Sequence, residues 1–116
     1  THPFEFAMIC NSYANALTKY PPSVKSDNNA KALGFYRQAL EIRSANEYPY
    51  ERALTILNFL EACWYVNHEN EQQEQALFDE MTARANEISH LTTDENLLVD
   101  AQRHLDKIQE LSKMMA

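Results

Sequence analysis

Pro49-Tyr50-Glu51-Arg52-Ala53-Leu54-Thr55-Ile56-Leu57-Asn58-Phe59-Leu60-Glu61-Ala62-Cys63-Trp64-Tyr65-Val66 is the stretch on which the fold turns. Proline opens a helix without loss, because the N–H of the first helical position has no intrahelical partner. Beyond it, Ala53, Leu54, Ile56, Leu57, Phe59, Leu60, Ala62, Cys63, Trp64, Tyr65 and Val66 leave almost no polar side. A helix that is apolar nearly all round must be enclosed by neighbours. This segment is therefore expected at the centre of the structure.

On its C-terminal side, Asn67-His68-Glu69-Asn70 reads as a short polar turn. A helix follows from about Glu71 to Ser89, with Leu77, Phe78, Met81, Ala85 and Ile88 recurring at helical spacing as an inner face. Thr92 with Glu95 three residues on has the form of a capping box. It opens a last helix with a stripe of Leu98, Ala101, Leu105, Ile108 and Met115, interrupted at Ser112. On the N-terminal side, a helix is expected from Asn29 to about Asn46, capped by Asp27 or Asn28. Its inner face reads Ala32, Leu33, Tyr36, Ala39, Leu40 and Arg43. An earlier helix, from about Pro3 to Lys19, carries Phe6, Ala7, Cys10, Tyr13, Ala14 and Leu17 on one face. Tyr20-Pro21-Pro22-Ser23 should stop it, with a polar loop continuing to about Asn28. The 116 residues thus form a single all-α domain of five helices, antiparallel because their links are short. Gly34 is the only glycine, which leaves little material for hairpin turns or phosphate-cradling loops.

Charge narrows the partners. The net charge is −7, and the ten Lys and Arg are scattered singly. Nucleic acid and anionic membrane need a clustered basic surface, so neither is expected. No apolar run approaches the ~18 residues of a membrane span. Cys10 and Cys63 lie within apolar helical patterns and lack CxxC spacing. Buried, reduced thiols and a cytoplasmic location are expected. The acidic balance favours a neutral or basic partner, although an ordinary solvated surface has the same composition.

The chain also repeats itself. Pro3-Phe4-Glu5-Phe6-Ala7 returns as Pro49-Tyr50-Glu51-Arg52-Ala53, a shift of 46 that also carries Ala16 onto Ala62. The following helices match at a shift of 44, Lys31-Ala32-Leu33 onto Gln75-Ala76-Leu77 and Ala39 onto Ala83. Repeats of this length signal stacked helix pairs, each unable to bury its apolar stripe alone.

At this point the chain resembles a tetratricopeptide repeat. Ala32, Tyr36, Ala39 and Leu40 meet the second-helix pattern Ala-x3-aromatic-x2-Ala-Leu. Pro3, Phe6, Ala7, Ala14 and Ala16 in one copy, and Pro49, Ala53, Thr55, Asn58 and Ala62 in the other, fit a long-repeat variant. That variant is similar to arrays beside caspase-like protease domains and in kinesin light chains. The resemblance implies an α-solenoid fragment: a first helix pair over residues 3–46, a second over 49–89, and a capping helix over 93–115. Ala14 and Leu60 stand where the family has glycine, and Glu80 stands where it has an aromatic. The competing reading is a plain helical bundle or self-association domain of a larger protein.

The resemblance implies a protein-binding role, with the partner segment in a groove lined by the first helix of each pair. It places Asn11, Asn15 and Thr18 there from one copy, and Leu57, Glu61, Trp64 and Tyr65 from the other. Asparagines at i and i+4 can bond an extended backbone, and aromatics dominate interface anchors. Trp64 is also the kind of residue that fills a core, and both readings stand. Catalytic constellations are weak. His2, His68, His90 and His104 fall in turns or on a polar face, without HxxxH or HExxH spacing. Glu69, Glu71 and Glu74 sit at a helix start, where negative charge favours the helix dipole. No enzyme activity, cofactor or metal is expected.

Overall fold

The structure, a computed structural model, describes residues 8–11, 15, 22–42, 47–66 and 70–115. Its described secondary structure is helical, with no strand. Residues 8–11 and 15 are helical, within the expected first helix. The remaining described helices are α1 (Pro22–Ile42), α2 (Pro49–Cys63), α3 (Glu71–Glu87) and α4 (Glu95–Met115), with a 3₁₀ turn at Ile88–His90. Phe6, Ala7, Tyr13, Ala14, Leu17, Thr18, Arg43 and the 67–69 turn lie outside the described residues.

Three boundaries differ from the sequence reading. α1 begins at Pro22, so the expected loop to Asn28 is helix and Asp27 and Asn28 lie inside it rather than at its cap. Pro22 sits at the first helical position, where its fixed φ favours helix. No proline or glycine follows before Gly34 to stop propagation. α4 is capped by Asp94 rather than by a Thr92–Glu95 box. The Asp94 carboxylate accepts the N–H groups of Asn96 and Leu97 at 2.9 and 3.2 Å, and Thr92 Oγ accepts the Asp94 N–H at 3.0 Å. A carboxylate there satisfies orphan donors and complements the helix dipole. α2 ends at Cys63, three residues early, in a tightened turn. Tyr65 and Val66 donate to the carbonyls of Ala62 and Cys63, three residues back. Pro49 opens α2 as expected, and Asn70 caps α3 by accepting the Gln73 N–H at 2.9 Å.

α2 is the centre. It packs against α1, α3 and α4, and α4 packs also against α3. Tyr36, Ile56, Phe59, Leu60, Met81 and Ile88 are fully enclosed. Phe78, Ala85, Leu97, Ala101 and Ile108 extend the same core. Cys10 joins the N-terminal stretch to α1, packed with Ala39, Phe35 and Ile42. Yet α2 is not enclosed on every side. Leu54 and Tyr65 are exposed, as is Glu61, and Leu57 and Asn58 are half-buried. These positions recur every three or four residues, so one stripe of the most apolar helix stays open.

Ala32, Leu33, Tyr36, Ala39 and Leu40 of α1 are buried, as are Leu77, Phe78, Met81 and Ala85 of α3. Ala76 and Ala83, the residues expected to match Ala32 and Ala39, are exposed.

On the side of α2 away from the open stripe, arginines stitch the helices together. Glu80 of α3 receives both ends of the Arg37 guanidinium, at 2.7 and 3.0 Å, and Arg84 Nε at 3.2 Å. Both guanidiniums lie over the buried Phe59 ring, 5.4 and 5.2 Å from its centroid. Burial acts to raise the Glu80 pKa, but hydrogen bonds and charge from Arg37, then Arg84, outweigh it and hold the carboxyl below its usual range. A charge here serves as the lid over an aromatic. Nearby, Arg52 forks onto Glu87 of α3 and donates to the Leu40 carbonyl in the last turn of α1.

Candidate functional site

The open stripe of α2 and one face of α4 form the walls of a groove. Leu57, Asn58, Glu61, Trp64 and Tyr65 come from α2 and the turn after it, and Asp100, Arg103, His104 and Lys107 come from α4. The α4 residues fall at i, i+3, i+4 and i+7, which places them on one side of a helix. They enclose a recess of about 520 Å³, within the usual range for ligand sites. A smaller recess of about 160 Å³ continues from it, lined by Asn15, Asn29, Tyr36, Asn58, Glu61, Ala62 and Tyr65. Asn58, Glu61 and Tyr65 border both.

Trp64 is neither simply core nor simply exposed. Its inner side meets Phe78, with ring centroids 6.2 Å apart and planes inclined by 52°. Its indole N–H donates to His104 Nδ1 at 2.9 Å, and the two rings lie nearly parallel. Lys107 Nζ stands 4.2 Å from the indole centroid, a cation–π contact that fixes the outer face. Since Nδ1 accepts, the His104 proton sits on Nε2, which faces Glu61 Oε2 at 3.9 Å. His104 is held below its usual pKa: burial lowers it most, Glu61 and Asp100 oppose, and Lys107 lowers it further. The imidazole is therefore neutral at pH 7. Glu61 remains 66% exposed at the rim.

Four of the seven groove residues expected from sequence (Leu57, Glu61, Trp64 and Tyr65) line the larger recess, and Asn15 lines the smaller. Asn11 and Asn15 each already have a partner within the chain. Asn11 Oδ1 accepts from Asn58 Nδ2 at 3.5 Å, which ties the N-terminal stretch to α2. Asn15 Oδ1 accepts the hydroxyl proton of buried Tyr36 at 2.5 Å. Burial pushes the Tyr36 phenol up to about 12, so it stays a donor at any physiological pH. Thr18 lies outside the described residues. The sequence reading missed Asn58, Asp100, Arg103, His104 and Lys107. Their helical spacing was visible, but that pattern also describes the solvated face of a terminal helix. His104 in particular is not on an open polar face, its side chain being only 13% exposed.

Among the described residues no cluster of His, Cys, Asp or Glu has the form of a metal site. Cys63 is enclosed in the core, and burial, with Glu80 adding, raises its thiol pKa far above neutrality. It is no nucleophile in this conformation. No described helix is long and apolar enough to cross a membrane. The groove offers a rigid aromatic, a phenol, a carboxylate, amides and a neutral imidazole along one concavity. That suits recognition of a polar chain with apolar side groups. No family model matches the chain, and neither a curated protein nor a solved structure shows a significant match to it.

Proposed function

We propose that the chain is a protein-interaction module of tetratricopeptide type, acting in the cytoplasm as an adaptor or as the binding segment of a larger protein. The observation that carries this reading is the open stripe on α2. A helix this apolar would be sealed on all sides in a plain bundle. Here it leaves Leu54 and Tyr65 at the surface beside half-buried Leu57 and Trp64. Further support comes from the packing order. α2 meets both the next helix and the one after it, as stacked pairs with a capping helix do. The groove then receives a neutral or basic segment of a partner protein, with Trp64 and Tyr65 as anchors.

Selection of displayed random peptides on the intact chain tests it. Binders should emerge and lose most of their affinity to Tyr65→Ala, because truncating an aromatic anchor typically removes about 2 kcal/mol or more. Binders indifferent to Tyr65→Ala, Leu57→Ser and Glu61→Gln alike would refute the groove.

Self-association is the second reading, favoured by Val99 and Met114, which are exposed on α4 at 54% and 79%. Sedimentation equilibrium separates the two. A dimer broken by Val99→Lys supports self-association, and a monomer across the concentration range removes it.

A further inference from the structure

We infer that Trp64 and His104 form a proton-operated latch on the groove: with Nδ1 bare, His104 holds the Trp64 indole against α4, and with Nδ1 protonated it releases the indole and turns to Glu61. Only the last step, the effect on a bound segment, rests on the peptide-binding reading. The first argument is the geometry of the pair. The indole N–H donates to Nδ1 at 2.9 Å, and the ring planes differ by 11° with centroids 6.1 Å apart. The rings therefore meet edge to edge across one hydrogen bond. An indole nitrogen only donates. A proton on Nδ1 would face the indole N–H head-on, donor against donor, where both ring edges are positive. One arrangement cannot serve both protonation states.

The second argument is that the protonated ring has a partner to turn to. Glu61 Oε2 stands 3.9 Å from Nε2, and a shift of about 1 Å makes that contact a charge-assisted hydrogen bond. Among the described residues, the charged groups that act on His104 are Glu61 from α2 and Asp100 and Lys107 from α4. Arg103 and the Tyr65 phenol line the same recess, and α3 brings Phe78 against the indole. Lys107, 4.2 Å from the indole centroid, repels a new positive charge, while Glu61 attracts it. Both favour an imidazolium that leaves Trp64.

Linkage sets the direction. In the latched state burial lowers the proton affinity of His104 most, Lys107 lowers it further, and Glu61 and Asp100 oppose. A released imidazole, nearer to water and to Glu61, holds the proton more tightly. Acidification below 6.5, the ordinary imidazole value, therefore favours the released form. Trp64 and His104 both line the larger recess, so release alters its wall. The indole then lacks the hydrogen bond that fixes its orientation. An anchor that must be ordered again on binding weakens affinity, and a preorganised one strengthens it.

Trp64 is the one tryptophan of the chain, so a single indole N–H resonance reports the latch in the intact protein without ligand. That resonance and the His104 ring nitrogens should titrate with one midpoint, below pH 6.5. Glu61→Gln should move the shared midpoint down and Lys107→Gln should move it up, because the two charges act oppositely on the imidazole. His104→Gln should hold the indole resonance steady, since an amide oxygen accepts at every pH. An indole resonance that stays fixed while His104 titrates, or that moves as far in His104→Gln, overturns the latch. A peptide selected on the intact chain tests the last step. Its affinity should fall about fivefold between pH 7.5 and pH 5, the weight of one ordinary hydrogen bond, and the fall should vanish in His104→Gln. No fall in the parent, or an equal fall in His104→Gln, overturns the coupling of latch to groove. If selection returns no binder, the peptide groove fails and the indole titration alone decides the latch.

Discussion

Phe59 and Glu61 are two residues apart on α2 and face opposite ways. Each shows a different use of charge. Phe59 is fully buried, and the ring's exposed approaches are covered by Arg37 and Arg84, which Glu80 holds in place. Arg37, Arg84 and Glu80 on that face each have a close partner of opposite sign. Around Glu61, among the described residues, the only ion-pair candidate is His104 Nε2 at 3.9 Å on a neutral ring, and Lys107 stands over Trp64. The back face spends its ions on the fold. The groove face keeps a carboxylate and an aromatic within reach of solvent. A surface charge with a tight internal partner is best explained by stability, and one without such a partner is the better candidate for recognition.

Mutations on the two faces should therefore separate in size. Phe59→Ala has the largest effect, about 3–5 kcal/mol of lost stability by urea denaturation, since it empties the site that three helices close around. Glu80→Gln comes next, at about 1–2 kcal/mol. It leaves Arg37 and Arg84 without their counter-charge, but both guanidiniums keep some solvent, which limits the loss. Gly34→Ala works in the other direction. Gly34 lies inside α1 with open space where a Cβ would go, so alanine should raise stability by about 0.5–1 kcal/mol. This gain calibrates the assay against small effects. Glu61→Gln should stay within about 0.5 kcal/mol of the parent. A loss at Glu61 equal to that at Glu80 would break the comparison.

pH sharpens it further. The folded-state pKa of His104 is depressed, so the unfolded chain binds the extra proton first. Its contribution to stability is fully present above the ordinary imidazole value of 6.5 and is lost as pH falls from there through the folded pKa. Protonation of Nδ1 also removes the acceptor of the Trp64 N–H. Tryptophan fluorescence and the urea midpoint should shift together in that window, and His104→Gln should flatten both. The Glu80 contribution acts at lower pH, being present above 4.5 and lost as pH falls through its depressed folded value.

The sequence made the core of α3 legible, because Leu77, Phe78, Met81, Ala85 and Ile88 keep one helical period and face the same neighbours throughout. It also placed α2 at the centre. Periodicity alone could not convey which side of a nearly all-apolar helix stays open; the expectation of Leu57, Glu61, Trp64 and Tyr65 in a groove came from the family resemblance, and these four line the larger recess. The α1 start was misjudged because Pro21-Pro22 reads equally as a stop and as an N-terminal start, and only the fold distinguishes them. Glu80 looked like a lapse from the repeat pattern, yet it anchors the back face through Arg37, 43 residues distant in sequence. His104 and Lys107 had the spacing of a solvated stripe. Their role at Trp64 comes from a contact across 40 residues that no local pattern encodes.

The most direct test is the NMR footprint of a selected peptide on the ¹⁵N-labelled intact chain, read as shift changes by residue. Binding in the groove predicts the largest changes at Leu57, Asn58, Glu61, Tyr65 and His104, together with the Trp64 indole N–H, and little change at Arg37, Arg84 or Met114. A footprint centred on Arg37, Glu80 and Arg84, or on Val99 and Met114, would contradict the account.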